Sequence, residues 1–239
     1  MRQAFAGVPA LDGVDLTVPR HGRLAVVGPS GGGKSTLLAL IAGLLEPSGG
    51  SVRVGGERDP RGRLAHCALM PQKDLLLPWR SALDNACLAL ENQGLRRGEA
   101  RARARPLLER FGLAEFERAR PDQLSGGMRQ RVAFLRTLLA GKEVLLLDEP
   151  FGALDSITRA QMQEWLAGAL ALQPRTVALV THDVEEALLL ADLVVVLSAR
   201  PGRVVHRLEA DLERGGPRSE VVSTPQFVKA RQRLLEALG

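Results

Sequence analysis

The sequence is poor in cysteine and in long apolar runs. Its 239 residues include two cysteines, Cys67 and Cys87, and no CxxC pair. Neither a disulfide framework nor a zinc site follows, and a reducing compartment is the simpler expectation. The most apolar window, 187–199, contains Asp192 and is too short to span a bilayer. With no leader pattern at the start, we expect a cytosolic chain, and any work at a membrane requires another chain to supply the spans.

Aromatic residues are also scarce, at 3% of the chain, and tyrosine is absent. The net charge is +5, from 32 basic and 27 acidic residues, which is a mild excess. The basic run "RRGEARARAR" at 96–105 has no aromatic residues between its arginines on which bases would stack. We therefore interpret it as a solvated helix face and expect no nucleic-acid partner.

Apolar runs of strand length alternate with helical patterns along most of the chain. The runs "RLAVVG", "EVLLLD", "TVALVT" and "LVVVLS" have apolar residues at every interior position, which is typical of a parallel sheet covered on both faces. The segment after "RLAVVG" predicts a helix that continues until Pro47 stops it. The first twenty residues and "SVRVGG" indicate a smaller antiparallel element. The fold class is therefore α/β.

The region 73–123 differs, because it is rich in Leu, Ala, Arg and Glu and has no strand runs. We predict one domain over 1–239, with an α/β core at about 1–72 and 124–205 and a helical subdomain inserted at about 73–123. The remainder, 206–239, is predicted to be an extension that ends in a helix. Thr224 caps this helix and Pro225 occupies its first position.

The stretch "GPSGGGKS" matches the phosphate-binding pattern GxxxxGK[ST] in full, between a strand and a helix. Its glycines let backbone N–H groups converge on phosphates, Lys34 reaches the β and γ phosphates, and the Ser35 hydroxyl ligates Mg²⁺. The predicted phosphate-binding residues are Gly28, Pro29, Ser30, Gly31, Gly32, Gly33, Lys34, Ser35 and Thr36.

Other strand ends carry polar side chains. Asp148 and Glu149 end "VLLLDEP", and ligands in α/β sheets bind at the carboxyl ends of strands. We predict that Asp148 orients Mg²⁺ and that Glu149 polarises the attacking water. His182, after "LVT", is predicted to contact the γ-phosphate or the water. Gln72, at another strand end, is a candidate for ligating Mg²⁺ or sensing the γ-phosphate, and "LLLPW" behind it exposes apolar bulk.

The stretch "LSGGMRQR" at 124–131 is a second anion-suited turn, because a helix start presents free N–H groups and the positive end of the helix dipole. With this motif the chain resembles the ATP-binding subunit of an ABC transporter over essentially its whole length. "GPSGGGKS" corresponds to Walker A, Gln72 to the Q-loop and "LSGGMRQR" to the signature. "EVLLLDEP" corresponds to Walker B, Ala153–Asp155 to the D-loop and His182 to the switch histidine.

The resemblance implies a P-loop NTPase (RecA-like) core that binds and hydrolyses ATP with Mg²⁺. It also implies a head-to-tail dimer of two copies that sandwiches two ATP molecules. Ser125, Gly126 and Gly127 then bind the γ-phosphate of ATP held by Lys34 of the other copy, and Asp155 lies in the same shared site. The second phosphate turn is thus half of a composite site.

"PQKDLLLPW" and "LSARPGRVV" are similar to the importer ATPases for nitrate, sulfonates, taurine and thiamine precursors. This resemblance implies a separate transmembrane permease that docks beside the Q-loop and, indirectly, an extracytoplasmic solute-binding protein. The chain would then lie peripherally on the cytoplasmic face of the cell membrane. The transported solute is chosen by those partners.

Two further points qualify the resemblance. Family members usually begin with an extra edge strand before an aromatic residue that stacks on adenine, whereas this chain starts four residues before Phe5, the best positional match. We expect either a truncated start or weaker stacking. The alternative function is a non-transport ABC ATPase of the DNA-repair or regulatory type. The interval from Lys34 to Ser125 is too short for the coiled coil of a DNA-repair member.

Overall fold

A computed structural model describes residues 1–213 and 216–239. Its main sheet has six strands in the order β4-β5-β6-β3-β7-β8. All neighbours in it are parallel except β7 and β8, which are antiparallel. A second, two-stranded antiparallel sheet pairs β1 with β2. The strands are β1 (Gln3–Phe5), β2 (Val8–Leu11), β3 (Arg23–Val27), β4 (Cys67–Met70), β5 (Val144–Asp148), β6 (Thr176–Val180), β7 (Leu193–Leu197) and β8 (Val204–Glu209).

The interior positions of the central strands are apolar because both faces of the sheet are covered. Alternate residues of β3 point to opposite faces. Leu24 and Val26 pack in the cluster that contains the first helix, whereas Ala25 and Val27 pack against the C-terminal helices. By contrast, the edge strand β8 alternates between half-buried and exposed residues, since it has helix cover on one face only. The prediction of a mostly parallel sheet is confirmed.

The described helices lie on the two faces of the sheet and at one end of it. They are α1 (Lys34–Ala42), α2 (Pro60–His66), α3 (Ala82–Asn92), α4 (Arg97–Arg110), α5 (Gly126–Leu139), α6 (Ser156–Leu172), α7 (Val184–Leu190), α8 (Arg218–Val221) and α9 (Pro225–Leu238). Two 3₁₀ turns, at Ala114–Phe116 and Pro121–Gln123, precede α5. The side chain of Thr224 caps α9, as predicted.

The first helix is shorter than its sequence pattern predicts. We expected it to reach Pro47, but it ends at Ala42 because Gly43 adopts a left-handed conformation with φ 78°. The N–H of Gly43 bonds back to the carbonyls of Ala39 and Leu40, which closes the helix. Leu44, which lies beyond this end, is consequently exposed.

Helices α3, α4 and α5 pack on one another beside β4 and share a core with α6. Aromatic rings concentrate there, and the Phe111 and Trp165 centroids lie 4.5 Å apart in an edge-on arrangement. The division into a core, an insertion at 73–123 and an extension from 206 stays a prediction. The edge strand β8 runs across the 205/206 position of that division.

The small antiparallel element is a hairpin of β1 and β2 beside the start of α1. Isolated bridges join Arg2 to Gly49 and Val54 to Glu57, where the sequence suggested further antiparallel structure. Across residues 1–213 and 216–239, we find no helix with both the length and the apolar character that a membrane span requires.

Candidate active site

Four neighbouring parallel strands end at one edge of the sheet, and each is followed by a predicted site residue. Gln72 follows β4, Glu149 follows β5, His182 follows β6 and the phosphate-binding loop follows β3. Because these strands are adjacent in the order β4-β5-β6-β3, their loops form a continuous row. The topology alone therefore brings together residues that are far apart in the sequence.

The phosphate-binding loop folds around the side chain of Lys34. Its Nζ donates to the carbonyl oxygens of Gly28 and Pro29, at 2.8 Å each. Burial lowers the pKa of Lys34, and the carboxylates of Glu149 and Asp148 oppose this shift. The ammonium group is thus held between the loop and the acidic strand end, where it can meet phosphate oxygens.

Gly33 shapes the junction between this loop and α1. It caps the helix in a left-handed conformation with φ 84° and has no side chain to occupy the free N–H groups of the first turn. A Cβ at this position would lie 2.6 Å from Leu11 Cδ2. The β1–β2 hairpin therefore packs tightly on the loop, and the helix start stays open to an anion.

A second wall of the loop comes from the turn between β7 and β8. A Cβ on Gly32 would lie 2.7 Å from the carbonyl oxygen of Ser198. Gly202, in the same turn, approaches even closer, since its Cβ would lie 2.1 Å from the Gly32 carbonyl oxygen. The backbone N–H of Gly202 donates to Ala10, so the turn is fastened to β2 as well.

Asp148 is a buried carboxylate, 6% exposed, at the end of β5. Burial raises its pKa, the hydrogen bond from Ser35 and the charge of Lys34 lower it, and neighbouring Glu149 raises it further. The carboxyl group therefore lacks full compensation by positive charge. Ser35 and Asp148 together offer the oxygen atoms that Mg²⁺ prefers.

Glu149 has a strained backbone and two polar neighbours. Its φ is +48°, which costs of the order of 1–3 kcal/mol for a residue with a side chain. Its N–H donates to Val180 on β6 at 2.8 Å. Gln72 Nε2 donates to Glu149 Oε2 at 3.0 Å, and His182 Nδ1 lies 3.6 Å from Glu149 Oε1. The three predicted catalytic side chains therefore meet.

Gln130 is a site residue that the sequence patterns did not single out. It lies on α5, is 7% exposed, and donates from Nε2 to the carbonyl oxygen of Glu149 at 2.7 Å. Its Oε1 accepts from the N–H of Ala153 at 2.8 Å. In the sequence, Gln130 stands among arginines, close to Val132 and Ala133, which are buried. Its polarity alone does not indicate whether its side chain lies on the buried or the exposed face of α5.

The signature turn contacts its own helix and the D-loop. Ser125 Oγ accepts from the N–H of Met128 and so caps α5. Gly127 faces the D-loop, because its Cβ would lie 3.2 Å from Leu154 Cδ2. Ser125 and Gly126 are exposed. Within the described ranges 1–213 and 216–239, we find no hydrogen bond or ion pair between this turn and 28–36.

Two more predicted binding residues lie on the surface. Phe5 is 42% exposed at the end of β1. Asp155 caps α6 by accepting from the N–H groups of Ile157 and Thr158, and its hydrogen bonds with Thr158 lower its pKa. The binding roles of both residues stay predictions.

The apolar stretch after Gln72 is exposed only in part. Leu75 and Trp79 are exposed, at 60% and 69%, but Leu76 is buried in the helical core. The prediction that "LLLPW" exposes apolar bulk therefore needs correction at Leu76. Leu75 has φ +46°, and its carbonyl accepts from Arg136 of α5, which turns its side chain outward from the packed core.

The class of protein follows from three features of this site. They are a phosphate-binding loop, a buried aspartate beside the serine of that loop, and a glutamate between a glutamine and a histidine, and together they define a P-loop ATPase. A family model described as "ABC transporter" matches residues 11–152. The chain belongs to this family and is an ATPase, as the sequence motifs predicted.

Relatives and solved structures agree with this assignment. The taurine import ATP-binding protein TauB of Rhizobium johnstonii is 46% identical over 232 residues, covering 95% of this chain and 88% of the relative. The protein of that name from Chromobacterium violaceum is 47% identical over 232 residues, with the same coverage. A dimeric post-hydrolysis structure of the ATP-binding cassette MJ0796, bound to ADP and Pi, aligns with a TM-score of 0.79 at 29% identity, covering 87% of this chain and 95% of that one. These comparisons do not favour a DNA-repair or regulatory ATPase.

Proposed function

We propose that this chain powers the import of a small organic sulfonate, of which taurine is the first candidate, through a separate permease. The observation that carries the import proposal is the identity of 46–47% over 95% of the chain to relatives named as taurine import ATP-binding proteins. Nitrate and thiamine precursors remain alternative candidates for the transported solute, since the motifs around Gln72 and Pro201 resemble those of the importer ATPases for all these solutes.

The arrangement at the sheet edge supports specific roles for its residues. The backbone of 28–36 and Lys34 Nζ bind the ATP phosphates, and the open start of α1 supplies N–H donors. Glu149 accepts a proton from the attacking water. Gln72 and His182, which flank its carboxylate, orient that water and contact the γ-phosphate. Glu149→Gln would therefore keep ATP binding and lower hydrolysis by about 10²- to 10⁴-fold.

Mg²⁺ fits the donors that this chain offers. The buried and incompletely compensated Asp148, the Ser35 hydroxyl and the Gln72 amide oxygen are the residues that would hold it. When bound, the ion neutralises charge on the phosphates during hydrolysis.

We further propose that two copies assemble head-to-tail, since the signature turn is exposed and, among the described residues, makes no hydrogen bond or ion pair with its own phosphate-binding loop. Ser125, Gly126 and Gly127 then bind the γ-phosphate of ATP held by the partner copy, with Asp155 in the same interface and Phe5 stacking on the adenine. The structural neighbour described as a dimer bound to ADP and Pi supports this assembly.

The permease is proposed to dock on the exposed apolar side chains of Leu75 and Trp79, close to Gln72. Exposed apolar groups of this size next to a catalytic loop indicate a partner surface. Docking there would place the chain peripherally on the cytoplasmic face of the membrane. An extracytoplasmic solute-binding protein would deliver the solute to the permease.

The proposal is tested by purifying the chain with the permease encoded beside it and reconstituting the complex in vesicles with the neighbouring solute-binding protein. We expect ATP-dependent uptake of labelled taurine, weak uptake of its carboxylate analogue β-alanine, and no uptake with Glu149→Gln. A stable complex that hydrolyses ATP but accumulates taurine, nitrate and thiamine precursors no faster than the Glu149→Gln complex would contradict it.

A further inference from the structure

Gln130 occupies an unusual position between two parts of the ATPase site. It projects from the second turn of α5, whose start is the signature turn, and reaches the loop after β5. Its amide uses both ends there, as a donor to the Glu149 carbonyl at 2.7 Å and as an acceptor from the Ala153 N–H at 2.8 Å. One buried side chain therefore bonds to both ends of the segment 149–153.

The segment that Gln130 holds is the one whose geometry matters for hydrolysis. Glu149 adopts φ +48°, a conformation that persists only when the surroundings hold it. The Val180 carbonyl accepts from the N–H of Glu149, and Gln130 donates to the carbonyl of the same residue. The peptide groups on both sides of the strained Cα are therefore fixed, and the direction in which its side chain leaves the backbone is fixed with them.

We propose that Gln130 is a positioning residue for hydrolysis, which holds the Glu149 carboxylate and the D-loop in register with the signature helix. This inference rests on the proposed role of Glu149 as the base. Gln130 does not reach ATP, since both of its polar ends bond to the protein backbone. Its loss should misplace the base while leaving the phosphate-binding loop intact.

The test compares two variants that keep the side-chain volume. Gln130→Met removes both hydrogen bonds, and Gln130→Glu keeps an acceptor for Ala153 but loses the donor to Glu149. Because a displacement of about 1 Å can cost 10²-fold in rate, we expect Gln130→Met to lower kcat by about 10- to 100-fold. The KM for ATP should change by less than about twofold, because Lys34 and the loop are untouched.

The pH profile supplies a readout that loss of packing would not move. A protonated glutamic acid at 130 can donate to the Glu149 carbonyl, whereas its carboxylate cannot. The charged residues on the elements that meet there are Asp148, Glu149 and Asp155 and, on α5 itself, Arg129, Arg131 and Arg136. The kcat of Gln130→Glu relative to Gln130→Met should therefore rise as the pH falls from about 8.5 to 6, as expected for a buried acid beside Glu149.

Gln93→Met is the matched control, since Gln93 also donates from Nε2 to a backbone carbonyl at 2.7 Å, that of Ala140, but away from Glu149. It should leave kcat unchanged. If Gln130→Met does not fold, the pH profile of Gln130→Glu is measured relative to the unsubstituted chain and carries the test. Unchanged kcat in folded Gln130 variants, or equal losses in the Gln93 control, would overturn the inference. Normal hydrolysis by Glu149→Gln would instead overturn the assignment of the base.

Discussion

The two phosphate turns of this chain differ in how complete they are. The loop at 28–36 is enclosed by the β1–β2 hairpin and the β7–β8 turn, and Lys34 is already bonded inside it. The signature turn is exposed, and its Ser125 hydroxyl caps its own helix instead. The anion site proposed for the first turn is therefore preformed, whereas the Ser125 hydroxyl of the second turn already has a hydrogen-bond partner within its own chain.

Similar local sequences, each glycine-rich and each opening a helix, therefore need not have equal roles. Helix α1 has a capping residue without a side chain, so its N–H groups stay free, while α5 has a serine cap. The site of α1 can bind an anion alone. At the start of α5, the hydrogen bond between Met128 N–H and Ser125 Oγ must break before that N–H can bond to a ligand. Such an exchange suits a contact that forms only on assembly.

The largest expected effect is recovery of activity in a mixture of two inactive variants. Lys34→Ala breaks the loop and Ser125→Arg blocks the signature turn, so each homodimer has one damaged half in both composite sites. Mixed dimers contain one site with two intact halves. We expect each variant alone to be nearly inactive and the mixture to regain ATP hydrolysis, measured by phosphate release.

This experiment requires that Ser125→Arg folds and binds ATP, because a positive charge at a helix start is itself unfavourable. Circular dichroism and ATP binding check both points. If two folded variants exchange partners and the mixture still shows no recovery, then the signature turn acts within its own chain and the comparison between the two turns fails.

The next effect is on stability and concerns the glycines of the two turns. Gly33→Ala should lower the free energy of unfolding by roughly 2–4 kcal/mol, because a left-handed alanine is strained and its Cβ meets Leu11. Gly126→Ala should change it by less than about 0.5 kcal/mol, since the nearest atom to that Cβ is Arg129 Nη2 at 3.8 Å. Urea denaturation of both variants measures the difference, and equal losses would contradict it.

A third effect distinguishes the two turns by how much each contributes to ATP affinity. Lys34→Ala should weaken ATP binding by about 10- to 150-fold, because a hydrogen bond to a charged group contributes roughly 1.5–3 kcal/mol. Ser125→Ala should leave the affinity of the isolated chain within about twofold and lower hydrolysis instead. Equilibrium titration with ATP in the Glu149→Gln background tests both variants. A similar loss of affinity in the two would indicate that both turns bind the same nucleotide in one chain.

The smallest effect concerns the proposed contact between Phe5 and the adenine of ATP. Phe5→Ala should weaken ATP binding by about 1 kcal/mol, at the low end for an aromatic ring stacked on a base, because the ring is already partly exposed. A titration with inorganic triphosphate serves as the control and should not change. If ATP affinity is also unchanged, Phe5 belongs to the hairpin fold and not to the binding site.

Much of the fold and part of the site could be predicted from local pattern. Unbroken apolar runs identified the central strands, and the chemistry of "GPSGGGKS" and "VLLLDEP" identified their loops. That Gln72, Glu149 and His182 meet could be anticipated because parallel strands end at one edge. Local chemistry sufficed wherever a residue's role depends on its neighbours along the chain.

Local pattern failed where a role depends on distant packing. The end of α1 followed the left-handed Gly43 and not the apolar spacing, and Leu76 turned inward because 74–75 is bonded to α5. Gln130 is the clearest case. Its function would follow from an approach between α5 and the loop after β5, which no spacing within "LSGGMRQR" encodes.

The close approach of Gly202 to Gly32 has a consequence for dividing this chain into pieces. The wall behind the phosphate-binding loop is built by a turn near the C-terminal end of the sheet, well beyond the 11–152 region that carries the family match. A fragment trimmed to that region would retain every residue from Leu11 to Gly152 and still lose the support of its proposed nucleotide site. The smallest autonomous unit must therefore extend through the β7–β8 turn, and a mutational survey should count Gly202 among the residues that govern nucleotide binding.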